Sequence, residues 1–106
     1  MAKAADRTLP SGMRDVLPEA TRSRRRLVRM VEHAVELRGY DLVTLPLFEF
    51  ESVLERGLGR LARDELLRFV EPETGAVAAL RPDMTPQVAR LVATRLRERP
   101  PPLRIA

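Results

Sequence analysis

The stretch from Pro18 to Gly39 constrains the fold most, because its apolar residues recur at the spacing of one helix face. Those residues are Leu27, Met30, Val31, Ala34 and Val35, whereas the arginines and glutamates between them fall largely on other faces. Pro18 suits a first helical turn, and Gly39 supplies a C-terminal stop. The pattern predicts one long amphipathic helix, which follows an irregular arm over residues 1–17.

The residues after this helix favour β-structure. A strand is predicted from Leu42 to Leu45, ending near Pro46, because proline cannot donate a hydrogen bond to a ladder. The next stretch, residues 51–69, has helical spacing interrupted by two glycines, so it predicts only short helical pieces. Further on, Leu67–Val70 and Ala76–Leu80 flank the turn sequence EPETG and predict a β-hairpin.

The last third of the chain predicts a second helix and the beginning of a further strand. Thr85 followed by Pro86 is typical of a helix start, with the hydroxyl as cap and the proline in the first turn. This helix is expected to run to about Arg99, before three consecutive prolines, with its apolar residues inward: Val88, Leu91, Val92 and Leu96. The final LRIA reads as a strand that stops at its start, which suggests a fragment. Together, the elements predict an α+β fold, with an antiparallel sheet and flanking helices, as one partial domain over residues 1–106.

Composition excludes several kinds of chemistry. The chain is 44% hydrophobic and 32% charged, which is ordinary for a folded globular protein. It has no cysteine, so disulfides and thiolate catalysis are excluded. The single histidine, His33, has no partner at metal-ligand spacing, and neither a metal nor a cofactor is expected. Because the chain begins without an apolar leader and nothing approaches the roughly 20 apolar residues of a membrane span, a cytoplasmic location is expected.

The net charge of +4 comes almost entirely from arginine, since Lys3 is the only lysine. The densest basic run, from Arg22 to Arg29, is interpreted as a solvated helix face, because no aromatic residue is interleaved for stacking on bases. Nucleic acid is therefore not expected as a partner. A small basic dimerisation or RNA-binding module remains an alternative, which salt-sensitive RNA binding would favour.

The sequence LRPDMTPQVAR, residues 80–90, places polar side chains where a strand gives way to a helix. An aspartate carboxylate such as that of Asp83 suits a ligand ammonium group, and the Thr85 hydroxyl can both donate and accept. The alternative is that Arg81 and Asp83 pair with each other and Thr85 only caps the helix. Spacing alone favours this alternative, because strand-to-helix turns with a capping threonine are common.

Three blocks of the chain together resemble the N-terminal part of a histidyl-tRNA-synthetase-like catalytic domain of class II. They are GMRDVLP at residues 12–18, GYDLVTLPLFE at residues 39–49 and FVEPETGAVAALRPDMTPQVAR at residues 69–90. Synthetases of this group typically carry LRPEGT. The present chain has Asp83 and Met84 before Thr85, which resembles the ATP phosphoribosyltransferase regulatory subunits, the synthetase paralogues of histidine biosynthesis.

The resemblance implies roles for particular residues. The first helix and the strand ending in Pro46 would correspond to motif 1, which implies a homodimer whose interface includes Leu27, Met30, Val31, Ala34, Val35 and Pro46. Asp83 and Thr85 would contact the amino group of L-histidine, although Asp83 is one methylene shorter than the synthetase glutamate. Arg81 is interpreted as mainly structural, pairing locally near the hairpin.

The resemblance also implies a non-catalytic protein. A subunit of this kind assembles with the short-form ATP phosphoribosyltransferase catalytic subunit and supports activity and feedback inhibition by histidine. No catalytic residue is expected in this chain, because the ATP-binding arginines of the class II pattern would follow Ala106. A fragment of histidyl-tRNA synthetase is the enzyme alternative.

Overall fold

The described residues form three helices and a small antiparallel sheet. The computed structural model describes residues 8–59 and 65–106. Its elements are α1 (Pro18–Glu36), β1 (Phe48–Phe50), α2 (Glu51–Leu58), β2 (Arg68–Val70), β3 (Val77–Leu80) and α3 (Thr85–Thr94). The predicted α+β class is confirmed. Residues 1–7 of the predicted arm and residues 60–64 of the predicted short pieces lie outside the described residues.

The chain divides into two compact units, one reaching to Leu42 and including Ala106, the other formed by Val43–Ile105. Helix α1 dominates the first unit and has Pro18 as its first residue. After the helix, Gly39 takes a positive φ of 78°, and its N–H donates to the Glu36 carbonyl at 2.9 Å. The helix therefore begins at the predicted residue and ends just before the predicted glycine.

The apolar stripe of α1 is exposed, and the helix contains no buried residue. Leu27, Met30 and Val31 are 62%, 61% and 56% exposed, while Ala34 and Val35 are half-buried. Large apolar side chains gathered on one exposed face mark an interaction surface. The stripe thus adds little to the apolar core of the described residues.

The second unit is built on a sheet with strand order β1-β3-β2, in which both pairs are antiparallel. The pairing sets Phe50 and Phe69 on either side of Ala78, so these side chains share one face of the sheet. Glu49 lies opposite Ala79 and points to the other face. The predicted hairpin is confirmed as β2 and β3.

The apolar core of the second unit is small. Leu54, Ala78 and Ala79 are its buried apolar residues among those described. Helix α2 packs against α3 and against the sheet, and a Cβ atom added at Gly57 would lie 2.6 Å from Cγ of Pro86. The close approach of the two helices therefore requires glycine at this position.

The strand predicted at Leu42–Leu45 is wrong, because the first strand of the sheet begins after Pro46, at Phe48. Pro46 has no N–H for a ladder. Carbonyl groups in the segment before β1 instead accept hydrogen bonds from side chains of distant residues. The segment is therefore held by side chains and is not a strand.

Helix α3 also ends earlier than predicted, at Thr94 rather than near Arg99. The Thr94 hydroxyl donates to the Arg90 carbonyl at 2.7 Å, and the N–H groups of Arg95 and Leu96 both return to the Leu91 carbonyl. This pattern closes the helix before the prolines. The strand predicted at the end of the chain is reduced to one bridge position, at residue 105. Among the described helices, none combines the length and hydropathy needed to cross a membrane.

Candidate functional site

The turn between β3 and α3 brings Asp83 and Thr85 together. The Asp83 carboxylate accepts a hydrogen bond from the Thr85 backbone N–H at 2.8 Å and another from the Thr85 side chain. These bonds, the backbone bond first, lower the pKa of Asp83 below its ordinary value, because they stabilise the charged form. The predicted threonine cap is wrong: Thr85 is already the first helical residue, and Met84 stands at the N-cap without a side-chain bond.

Both candidate ligand contacts are accessible. Asp83 and Thr85 are exposed, and the lowered pKa keeps the carboxylate ionised at neutral pH. An ionised carboxylate offers about four lone-pair sites, so the bonds from Thr85 leave acceptor capacity for a ligand. Neither Asp83 nor Thr85 lines any of the three clefts described in the second unit. The two side chains therefore lie on open surface.

Arg81 does not pair locally, contrary to the prediction. Its Nη1 atom donates to the Leu45 carbonyl at 3.1 Å and lies 3.4 Å from that of Pro46, and its backbone N–H donates to the Leu47 carbonyl at 3.0 Å. The first two partners lie 36 and 35 residues earlier in the chain. Arg81 thus holds the turn to the segment before β1.

Gln87 is a second, unpredicted link between the same two segments. The side chain is fully buried, and Nε2 donates to the Pro46 carbonyl at 2.7 Å. Within the part of the chain that is described, Oε1 is buried and has no hydrogen-bond partner. In the sequence this glutamine is one more polar residue in the first turn of a helix, so no local signal marks it.

Two ion pairs tie the sheet to its surroundings. Glu49 on β1 accepts from Nε of Arg90 on α3 at 2.9 Å, with side-chain exposures of 7% and 28%. Glu51, the first residue of α2, pairs with Arg68 on β2 at 3.1 Å. Removing one partner of such a pair leaves a buried charge unpaired. Sequence separations of 41 and 17 residues explain why neither pair was predicted.

A shallow cleft of about 580 Å³ opens on the aromatic face of the sheet. Phe48 and Phe69 meet edge to face with ring centroids 5.0 Å apart, and Arg90 and two glutamates stand at the margin. The lining residues are Pro46, Phe48, Glu49, Phe50, Phe69, Glu71, Ala78 and Arg90. Within the described ranges, no cluster of three or more histidine, aspartate and glutamate side chains is arranged to hold a metal ion.

The residues predicted for a dimer interface fall in both units. Leu27, Met30, Val31, Ala34 and Val35 lie along α1 in the first, and Pro46 is an exposed residue of the second. The Pro46 carbonyl is occupied by bonds from within its own unit. The α1 residues and the Pro46 ring can therefore each contact a partner chain, with no rearrangement of the unit to which they belong.

Comparison with known proteins identifies the relatives of this chain. Residues 12–106 match the family described as histidyl-tRNA synthetase. An ATP phosphoribosyltransferase regulatory subunit of Anaeromyxobacter is 43% identical over 81% of the chain, and one of Paramagnetospirillum magneticum is 40% identical over all of it. The chain spans 25% and 28% of the lengths of these two relatives.

The description of one similar solved structure names both a regulatory subunit and a histidyl-tRNA synthetase. It is described as an ATP phosphoribosyltransferase regulatory subunit/histidyl-tRNA synthetase from Bacillus halodurans, and it superposes with a TM-score of 0.78 and 33% identity over the whole chain and 27% of its own length. The fold expected from the resemblance, that of a histidyl-tRNA synthetase-like domain, is thereby confirmed. The chain belongs to the histidyl-tRNA synthetase family, and its curated relatives in that family are ATP phosphoribosyltransferase regulatory subunits.

Proposed function

We propose that this chain forms part of a regulatory subunit of ATP phosphoribosyltransferase, the enzyme of the first step of histidine biosynthesis. The observation that carries the proposal is the shared name of curated relatives at 43% and 40% identity. In this role the subunit has no catalytic residue or cofactor of its own. It assembles in the cytoplasm with the short-form catalytic subunit and supports both activity and feedback inhibition by histidine.

The ligand proposed for the turn between β3 and α3 is L-histidine, whose ammonium group would contact Asp83 and Thr85. The geometry supports this assignment because the carboxylate is exposed, ionised and oriented by its bonds from Thr85. Hydrogen bonds between charged groups are shorter and stronger than neutral ones. Since aspartate is one methylene shorter than glutamate, the ammonium must sit about an ångström closer to the backbone than it would opposite a glutamate.

The dimer proposed for this subunit uses the stripe on α1. Three of its five residues, Leu27, Met30 and Val31, are more than half exposed, and burying such side chains against a second copy would remove apolar surface from water. Each fully buried aliphatic side chain of this size contributes about 1.5–3 kcal/mol. A symmetric contact doubles the contribution of every residue on it.

Histidine binding to the complete subunit tests the site. The Asp83→Asn variant should weaken binding by about tenfold or more, because the charge-assisted bond to the ammonium is lost, while the fold remains intact. Isothermal titration calorimetry measures the affinity. Glu73→Gln is the matched control, since it neutralises another exposed carboxylate in a turn. Equal affinities for the wild type and Asp83→Asn would remove Asp83 from the site.

Assembly with the catalytic subunit tests the wider role. Adding the complete subunit to the short-form catalytic subunit should raise the rate at which ATP and phosphoribosyl pyrophosphate are joined, and histidine should then inhibit that rate. A mixture whose rate equals that of the catalytic subunit alone would contradict the proposal.

A histidyl-tRNA synthetase is the second candidate, because the Bacillus halodurans structure carries both names. It differs in an observable product: the complete protein with histidine, ATP and tRNA would form histidyl-tRNA. Formation of that product would replace the regulatory proposal, and Asp83 and Thr85 would then contact a substrate instead of an inhibitor.

A further inference from the structure

Three successive backbone carbonyl groups before β1 are held by two residues that bracket the Asp83–Thr85 turn. Arg81 binds the carbonyls of Leu45 and Pro46 through Nη1 and that of Leu47 through its backbone N–H. Gln87 binds the Pro46 carbonyl through Nε2. We refer to these four hydrogen bonds as the clasp.

The Arg81–Leu47 bond continues the β1–β3 register by one residue, and beyond it the clasp supplies side-chain donors to Leu45 and Pro46. Backbone carbonyl groups need donors, and those of Leu45 and Pro46 obtain them from the side chains of Arg81 and Gln87. Arg81 lies two residues before Asp83, and Gln87 lies two residues after Thr85. The ligand-contacting residues therefore sit on a short stretch anchored at both ends to the Leu45–Leu47 segment, through all three carbonyls by Arg81 and through that of Pro46 by Gln87.

The bond to Pro46 fixes the orientation of the buried Gln87 amide. Exchanging its nitrogen and oxygen would set Oε1 against the Pro46 carbonyl oxygen, two acceptors at 2.7 Å, so the amide orientation follows from its partner. Its Oε1 remains buried without a partner in the described chain, which costs free energy. The structure therefore retains the Gln87–Pro46 bond although the same side chain leaves its Oε1 atom unpaired among the described residues.

We infer that Arg81 and Gln87 are positioning residues of the Asp83–Thr85 site and couple its occupancy to the Leu45–Leu47 segment. The inference rests on the proposed function for the identity of the ligand, L-histidine. A ligand that orders the turn also orders the segment, because the clasp joins them. Pro46 belongs to the proposed dimer surface, so the clasp leads from the histidine site towards that surface.

Hydrogen exchange measured by mass spectrometry on the complete subunit tests the clasp without any ligand. Gln87→Met removes the donor while keeping the length and apolar volume of the side chain, and Arg81→Met removes the guanidinium. Both variants should exchange faster than the wild type in peptides covering residues 45–50 and 81–88, by about tenfold for Arg81→Met, which loses a charge-assisted bond, and by about threefold for Gln87→Met, which loses a neutral one. Arg95→Met is the control, since Arg95 is an exposed arginine on the C-cap of α3.

The coupling itself is tested by adding L-histidine. In the wild type, histidine should slow exchange in both peptides, although it contacts only the second. In Gln87→Met the protection of residues 81–88 should persist while that of residues 45–50 falls, because only the Arg81 bonds still join the two; a general loss of stability would lower both. Arg81→Met should weaken histidine binding, because it removes one anchor of the turn, and Arg81→Lys, which keeps a charged donor near the carbonyls, should recover part of that affinity.

Each outcome decides one of the two proposals. Unchanged exchange in both peptides of the ligand-free variants would overturn the clasp as a positioning device. Histidine protection confined to residues 81–88 of the wild type would overturn the coupling. A wild type that does not bind histidine would remove the proposed ligand, and with it the coupling to histidine, while ligand-free exchange would still decide whether Arg81 and Gln87 position the turn. Should Arg81→Met fail to fold, Gln87→Met and Arg81→Lys give the same comparison.

Discussion

The two units of the chain use their apolar residues in opposite ways. Helix α1 contains no buried residue, although its stripe is the most regular apolar pattern in the sequence. The unit from Val43 to Ile105 has a less regular pattern, yet it buries Leu54, Ala78 and Ala79. A strong periodic pattern therefore shows that a surface needs a partner, not that the partner lies in the same chain.

The difference extends to polar groups. In the second unit, buried carboxylates, an arginine and a glutamine specify which segments meet, because each must find a partner of matching chemistry. The pairs Glu49–Arg90 and Gln87–Pro46 each join residues 41 positions apart. Side-chain bonds along α1 instead join near neighbours, such as Arg22 and Glu19 at 3.3 Å on the exposed surface, and such exposed pairs contribute little. Specific tertiary structure in this chain thus depends on a few long-range polar contacts.

The largest expected effect concerns the partner of the α1 stripe. Met30→Asp in the complete subunit should weaken self-association by about 3 kcal/mol or more, because it would bury an unpaired charge in the interface. Sedimentation equilibrium gives the dissociation constant. Arg25→Asp adds a carboxylate away from the stripe and serves as control. Equal dissociation constants for Met30→Asp and the wild type would remove the stripe from the interface.

The next effect concerns the buried ion pair of the second unit. Arg90→Met should lower the free energy of unfolding by about 3 kcal/mol, since it leaves the Glu49 carboxylate buried without its cation. Adding Glu49→Leu to this variant should restore part of the loss. Urea unfolding followed by circular dichroism measures both, with Arg95→Met as the control. A loss no larger than that of the control would show that Glu49 is solvated.

A smaller effect is expected where α2 meets α3. In an exposed helix, replacing glycine by alanine stabilises by up to about 1 kcal/mol, but Gly57→Ala should destabilise by about 1–3 kcal/mol, because its methyl group would overlap the rigid ring of Pro86. Ser52→Ala on the same helix is the comparison. Thermal unfolding decides the sign, and a stabilised Gly57→Ala would show that the helices can move apart.

The smallest effect is the pH dependence of the Asp83 turn. The pKa of Asp83 is lowered from its ordinary value of 3.8 by the hydrogen bond from the Thr85 backbone, together with the Thr85 side chain. Its contribution to stability is therefore present above pH 3.8 and is lost as the pH falls through the lowered value. Carboxyl titration by NMR should show this pKa below the ordinary one, and Asp83→Asn should remove its part of the acid dependence. An ordinary pKa for Asp83 would mean that the turn opens in solution.

Glu71 provides an internal reference for that titration. Its pKa is also lowered, chiefly by a hydrogen bond from the Thr74 side chain, and it lies in the hairpin turn between β2 and β3. Asp83→Asn should leave the Glu71 titration unchanged. A shift in both groups would indicate that the substitution disturbs the second unit as a whole.

Local features predicted a large part of this fold. Pro18 and Gly39 marked the bounds of α1, the EPETG turn marked the hairpin, and Pro86 marked the start of α3. Each signal acts through the backbone of a few neighbouring residues, by restricting φ or by removing an N–H. Asp83 and Thr85 were also chosen as a pair from the sequence, and the structure places them in contact, although the roles within the turn differ from those predicted.

The sequence by itself determined where helices and turns begin, because those choices depend on neighbours in the chain. Only the tertiary structure decided that β1 starts after Pro46, that Arg81 and Gln87 occupy the carbonyls before it, and that Arg90 neutralises Glu49. These outcomes depend on which donors and acceptors meet across 35 or more residues. A buried polar group must be paired, but which distant residue pairs with it is settled only when the segments pack.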